Sequence, residues 1–201
     1  MLIGFTGAQC TGKSTLLSKC KIMNSDTTVF NQFIFVEEVT RKVLKTGFDI
    51  NERGNDITQL HILNQHLVNH TTMDNAILDR CILDGYIYTC WLENNNKVSQ
   101  WVREYACRLL TLLIENLDVI FYTCPEDVMM RDDGVRSTCD HFRQDIIDLY
   151  EDMFGQNYSW LNKVVRLRGS VEDRMETILE KIHESTNIRQ QQNKQASRAN
   201  V

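Results

Sequence analysis

Residues 7 to 14 read GAQCTGKS, with Gly7, Gly12, Lys13 and Ser14 at the spacing G-x-x-x-x-G-K-S/T. Each part of that pattern has a task at a triphosphate. The glycines let backbone N–H groups turn inward around the phosphates, and Lys13 neutralises the β and γ oxygens. Ser14 offers a hydroxyl to Mg2+, and a helix beginning here points its positive end at the anion. The flanks suit the motif, because LIGFT before it reads as a buried strand and residues 13 to 23 read as a helix. The expected nucleotide contacts are Gly7, Cys10, Thr11, Gly12, Lys13, Ser14 and Thr15, with Ser14 also on the metal. Cys10 occupies a position where such a loop uses backbone rather than side chain. A thiol among inward N–H groups is nonetheless open to a lowered pKa and to oxidation.

Three further stretches carry groups able to act on a second molecule. In VEEVTRKVL (36 to 44), Glu37 and Glu38 fall at the end of a strand, the edge where open α/β sheets bind ligands. Glu38 could orient or deprotonate an acceptor hydroxyl; the plainer alternative is a helix cap or an ion pair with Arg41. In AILDRCILDGYIYT (76 to 89), a hydrophobic strand ends in Asp79. Such a carboxylate can hold Mg2+ through water or act as a base, although many buried strands end in Asp. Arg80 follows it and could clamp a phosphate or steady the transferring group. In MMRDDGVRSTCDHFRQ (129 to 144), Arg131, Arg136 and Arg143 lie in or beside a loop pivoting on Gly134. Arginines on a mobile segment neutralise charge and exclude water during phosphoryl transfer. The alternative is a solvated loop in which they pair with Asp132, Asp133 and Asp140.

Other candidates carry less. His66 and His70 share a helix face at i, i+4, but Leu67 stands where a zincin has Glu, so a surface or groove-lining helix is the expectation. With His61 they could line an acceptor pocket. Trp91, Trp101 and Trp160 are expected in the core, and Cys139 with His141 is too small a group for zinc.

The elements that position these residues alternate. Strands are expected at 2 to 6, 33 to 38, 76 to 79, 118 to 123 and 163 to 168. Helices are expected at 13 to 23, 39 to 46, 56 to 72, 82 to 94, 98 to 116, 140 to 154 and 171 to 184. In the third of these, Ile57, Leu60, Leu63 and Leu67 form the apolar face; in the fifth, Val98, Trp101, Val102, Tyr105, Leu109, Leu112 and Leu113 do. Strands alternating with helices imply an α/β fold, an open and mostly parallel sheet of five strands with helices on both faces. One domain over 1 to 185 is expected, with a lid around 126 to 143. The tail, 186 to 201, is rich in Gln and Asn without periodicity and is expected to be disordered.

The bulk numbers bound the partners. A length of 201 residues supports one well-buried core. A net charge of −5 argues against a polyelectrolyte binder of nucleic acid, though a local basic groove remains open. No apolar run is long enough for a membrane span, and Met1 leads directly into a strand without a basic leader, so a cytoplasmic protein is expected. Seven cysteines without a C-x-x-C pair argue against a disulfide framework or a zinc ribbon.

Taken in order and spacing, GFTGAQCTGKSTL, EEVTRKVL, LDRCILDGYIYT and DDGVRSTCDHFRQDI resemble the P-loop nucleoside and nucleotide kinases over residues 1 to 183. The nearest group holds bacterial nicotinamide riboside kinase domains and small phage ATPases; thymidylate kinase is more distant. The first motif is specific to P-loop proteins in general, and the D-R and D-G-x-R-S elements narrow it. The resemblance implies a three-layer P-loop NTPase fold, ATP with Mg2+, and a lid in the C-terminal half. It implies an acceptor near the ends of the second and third strands, with Glu38, Asp79 and Arg80 there and Ser14 with Asp79 at the metal. Lys13 and Arg136 would act on the phosphates, with Arg131 beside the nucleotide. No adenylyltransferase segment is legible in these residues, and no motif specifies nicotinamide riboside.

The expected activity is transfer of the γ-phosphoryl group of ATP to a hydroxyl or phosphate of a nucleoside-like molecule. One alternative is a phage-type kinase acting on hydroxymethyluracil in DNA, for which Lys42, Lys45, Arg103 and Arg108 would supply a basic track. Another is an NTPase switch that signals nucleotide state to a protein partner. Oligomeric state is open.

Overall fold

The computed structural model describes residues 1–23, 29–126 and 140–199. Five strands, β1 (Leu2–Thr6), β2 (Ile34–Val36), β3 (Ala76–Asp79), β4 (Val119–Thr123) and β5 (Val164–Leu167), form one sheet in the order β2-β3-β1-β4-β5. All neighbours are parallel, with Phe5 level with Asp79 on one side and with Phe121 on the other. Among the described residues, seven α-helices accompany them: α1 (Lys13–Met23), α2 (Val39–Lys45), α3 (Asp56–Thr72), α4 (Ile82–Asn94), α5 (Gln100–Leu113), α6 (Asp140–Phe154) and α7 (Val171–Ala199).

The central strands are apolar on both faces because helices cover both. Side chains alternate across the sheet, so Ile3, Phe5, Ile77, Val119 and Phe121 pack with Leu16 and Leu17 of α1 and Ile178 and Ile182 of α7. Leu2, Ala76, Leu78, Ile120 and Tyr122 face the other way, onto Leu63 of α3, Ile87 of α4, Val102 and Leu109 of α5 and Ile146 of α6. The expected α/β architecture is therefore observed, with three layers.

Four differences from the sequence reading have physical causes. The second strand is shorter than expected, which leaves Glu37 and Glu38 beyond its end. Ile57 on α3 is 58% exposed, and the inward face carries Gln59, Ile62, His66, Asn69 and His70. Polar groups can turn inward there because the interior offers partners: Gln59 Oε1 accepts from Thr89 and His70 Nε2 accepts from the Ile82 backbone N–H. Trp101 and Leu112 of α5 are exposed, while Val102, Leu109 and Leu113 are buried. The tail expected to be disordered instead continues α7 as helix to Ala199. Its first turn is capped reciprocally by Ser170 and Asp173, and no Gly or Pro follows to stop it.

Among the described residues, no helix is long and apolar enough to cross a membrane.

Candidate functional site

The chain leaves β1 towards β2 on one side and later returns past it to β4, so the loops after β1, β2 and β3 gather at the C-terminal edge of the sheet. The loop between β1 and α1 is bent by residues in the left-handed region, Gly7 at φ 136°, Cys10 at φ 55° and Gly12 at φ 87°. At Gly7 a Cβ would stand 2.7 Å from Thr123 Oγ1, so strand β4 requires glycine there. Cys10 adopts a conformation that costs a non-glycine residue about 1 kcal/mol, and its side chain is buried.

Lys13 is fully buried. Its ammonium donates to Gly7 O at 2.7 Å, Ala8 O at 2.5 Å and Thr11 Oγ1 at 3.3 Å. Thr11 in turn shares a 2.6 Å hydrogen bond with Thr123, so its side chain shapes the loop from within. Two arginines hold the loop from outside. Arg174 of α7 donates to Thr11 O and Cys124 O, each at 3.1 Å, and Arg143 of α6 donates to Gln9 O at 3.4 Å and Pro125 O at 3.3 Å. Ser14 lies in the first turn of α1 and shares a cleft of about 290 Å³ with Asp79, Glu37 and Glu38, whereas Thr15 is exposed. Lys42 and Lys45 of α2 border the same cleft.

A buried ionic cluster adjoins the loop. Arg80, at φ 73° between β3 and α4, turns its side chain back beneath Gly7. Its Nε donates to Glu38 Oε1 at 2.6 Å, and its Nη1 donates to Asp84 Oδ1 at 2.7 Å and to Gly7 O at 3.4 Å. Burial alone would lower the Arg80 pKa, but Tyr88, Glu38 and Asp84 overcome it and hold the group well above its ordinary value. The ring of Tyr88 lies 5.0 Å from the guanidinium, and its hydroxyl donates to Gln9 Oε1. Glu38 is 4% exposed and also accepts from Arg41 Nε at 2.9 Å, so the plain ion pair expected from sequence exists alongside the one with Arg80. Glu37 points to the surface.

Next to this cluster is a small cavity of about 20 Å³, room for about one water, walled in part by Asn51, Gln59, His66, Arg80, Asp84 and Tyr88. His66 is 1% exposed, and burial, then His70 and Arg80, push its pKa down to about 3. His70 is pushed down to about 4, chiefly by burial. Both therefore stand neutral near pH 7, as His70 must to accept the α4 N–H. The expected surface or groove-lining helix is an interior one, and of the three histidines only His66 lines this cavity. His61 is exposed and stacks on Phe48. Among the described residues, no group of three or more His, Cys, Asp or Glu could hold a metal ion.

The structure thus brings together Gly7, Cys10, Thr11, Gly12, Lys13, Ser14, Glu38, Asp79 and Arg80 at one sheet edge. Arg131 and Arg136, with residues 127–139 of the expected lid, lie outside the described residues. Thr6, Asp84, Tyr150 and Arg174 were not singled out in the sequence. The i, i+4 spacing of Arg80 and Asp84 was a usable signal for one of them; the others are tied in only by tertiary contacts.

A glycine-bent loop leading from the first strand into a helix, a buried lysine within it and an aspartate ending the adjacent strand define a P-loop nucleotide-binding protein. The profile of a family described as AAA domain matches residues 2–174, and the chain belongs to that family. Deoxyadenosine kinase from M. mycoides, solved with the products dCMP and a flexible dCDP, is similar in fold, with TM-score 0.67, 17% identity, and coverage of 92% of this chain and 99% of that one. NadR in complex with NAD and AMP-PNP is similar at TM-score 0.66 and 14% identity, covering 92% of this chain. The present chain spans 49% of that NadR chain. A second NadR structure, in complex with NR, gives TM-score 0.62 and 17% identity. No curated protein sequence matches the chain.

Proposed function

We propose that this protein is an ATP-dependent kinase that transfers the γ-phosphoryl group to a hydroxyl or phosphate of a nucleoside-type acceptor. The observation that carries the reading is the buried Glu38–Arg80 pair, which reaches the carbonyl of Gly7 on one side, while Glu38 lines the cleft of about 290 Å³ that holds Ser14 and Asp79 on the other. A phosphate loop alone binds a nucleotide. A loop joined through one arginine to a carboxylate that faces a roomy cleft is suited to hold donor and acceptor together. The similarity of fold to deoxyadenosine kinase and to NadR bound to NR supports an acceptor of nucleoside type.

In this reading the loop amides and Lys13 bind the β and γ phosphates, and the acceptor enters the cleft beside α2 with its reacting oxygen towards Glu38. Glu38 orients that oxygen and receives its proton, while Arg80 keeps the carboxylate in place and faces the charge that develops on the transferring group. Ser14 and Asp79, an oxygen donor pair in one cleft, suit Mg2+, which would neutralise phosphate charge. Arg136, and Arg131 beside the nucleotide, would add positive charge over the phosphates.

An acceptor screen tests the reading. ATP is offered with nucleosides, nucleoside monophosphates, nicotinamide riboside, and DNA with and without hydroxymethyluracil, and products are read by mass spectrometry. A phosphorylated nucleoside or nucleotide is expected. Release of free phosphate alone in every case would overturn the kinase and favour an NTPase switch.

A further inference from the structure

The phenol of Tyr150 on α6 closes a ring of buried hydrogen bonds around the phosphate loop. Gly7 N–H donates to Tyr150 Oη at 3.3 Å, and Tyr150 Oη lies 2.9 Å from Thr6 Oγ1. The Thr6 hydroxyl proton goes to Asp84 Oδ2 at 2.7 Å, so the bond between Tyr150 and Thr6 must be donated by the phenol. Asp84 Oδ1 accepts from Arg80 Nη1, which returns to Gly7 at its carbonyl oxygen. Both polar atoms of Gly7 are therefore fixed by one network, and the arginine in that network also holds Glu38.

We propose that Tyr150 is a positioning residue that locks the first turn of the phosphate loop to the Glu38–Arg80 pair, so that donor and acceptor sides keep one geometry. The coupling to an acceptor rests on the kinase reading above; the effect on the loop does not. The lock matters because Lys13 now donates to Gly7 O and Ala8 O. Phosphate oxygens are stronger, charged acceptors and would draw its ammonium away from both. Gly7 then keeps Arg80 on its oxygen and Tyr150 on its nitrogen, and the loop does not have to reorganise when nucleotide enters. Burial, with Asp84 and Tyr88 nearby, holds the phenol well above its ordinary pKa, so it stays a donor. Its ring is anchored separately, 5.3 Å from Tyr122 and 5.9 Å from Phe154 between centroids. Removing the hydroxyl therefore leaves the packing in place.

The test uses Tyr150→Phe, Thr6→Val, the double variant and, as a control in the same aromatic cluster, Tyr122→Phe. Calorimetric titration with ATP and Mg2+ reads loop geometry without an acceptor. Each single variant removes two bonds of the ring and is expected to weaken ATP about fivefold or more, at least the scale of one lost hydrogen bond. The double variant is expected to lose less affinity than the product of the two single losses, because both remove the shared Tyr150–Thr6 bond of one ring. Tyr122→Phe should bind as the native protein does. With an acceptor, Tyr150→Phe should lower kcat and raise the KM for ATP while leaving the acceptor KM unchanged. Native ATP affinity in Tyr150→Phe, or losses that multiply in the double variant, would overturn the proposal. A native protein that binds ATP but phosphorylates no acceptor would remove the kinase reading alone, with the titrations still deciding the role of Tyr150. A native protein that binds no ATP would remove both.

Discussion

In the proposed kinase, Lys13 and Asp79 would separate two tasks at the level of single residues. The ammonium of Lys13 is held inside the loop by two carbonyls and a hydroxyl, so its charge already lies where phosphate oxygens would arrive. Lys13→Ala removes the countercharge in ground state and transition state alike. The expected result is a loss of ATP affinity together with a fall in turnover of at least about a hundredfold, the cost of one electrostatic donor at a charged transition state. Asp79 closes β3 level with Phe5 and shares the Ser14 cleft, away from the loop amides. Asp79→Asn keeps the shape and removes only the negative charge that would serve the metal. Turnover should fall about a hundredfold or more, while ATP affinity, measured by titration, stays within about threefold. Collapse of ATP affinity with a normal residual rate would contradict this division. Both residues were legible in the sequence because their tasks belong to local motifs, a glycine-spaced lysine and a hydrophobic run ending in Asp. Tyr150 and Asp84 carry no such mark, since only the folded chain places them against Thr6 and Gly7.

The same division between local and tertiary information runs through the elements. The strands were readable from short apolar runs because both sheet faces are buried, and a strand buried on two sides has no polar alternation to confuse the pattern. Helix α3 misled for the opposite reason. Its inward face carries Gln59, His66, Asn69 and His70 beside Leu63, so hydrophobic periodicity placed the buried stripe part of a turn away from where it lies. The end of α7 misled because its sequence has no apolar stripe, yet Gln, Lys, Arg and Ala propagate a helix at little cost once a capped first turn exists. Ile178 and Ile182 are fully buried against the sheet, whereas Ile188, Arg189 and Gln190 are exposed. The two halves of α7 should therefore contribute very differently to stability. Ile178→Ala is expected to cost about 2–5 kcal/mol in chemical denaturation. Deletion of residues 190–201 should shift the thermal midpoint by less than about 3 °C, equivalent to about 1 kcal/mol for a chain of this size. A larger shift on deletion would mean that the exposed extension has a structural partner.

For the molecule as a whole, the interior beside the small cavity sets a pH dependence of folding. His66 and His70 are held neutral, with pKa values near 3 and 4, mainly by burial and, for His66, by the charges of His70 and Arg80 as well. An unfolded chain would protonate both around pH 6.5. Below that pH the unfolded state binds more protons than the native state, so stability rises with pH across the window and is lost as the solution is acidified. The contribution is fully present above about pH 6.5, and at pH 5 about 2 kcal/mol is lost for each histidine. Glu151, lowered by its hydrogen bond to Arg166, acts in the same direction, but only once the pH approaches the carboxylate range. The α-amino group of Met1, lowered chiefly by burial, also acts in this direction, so the two imidazoles set most but not all of the slope between pH 6.5 and 5. Urea unfolding at pH 7.5 and pH 5 should show a difference of about 4 kcal/mol. Gln at position 70 can still accept the Ile82 N–H through its side-chain oxygen, and Gln at position 66 keeps a polar group on the cavity wall. The double variant H66Q/H70Q is thus expected to fold and to lose most of that difference. Retention of the native pH slope would place the titrating groups elsewhere.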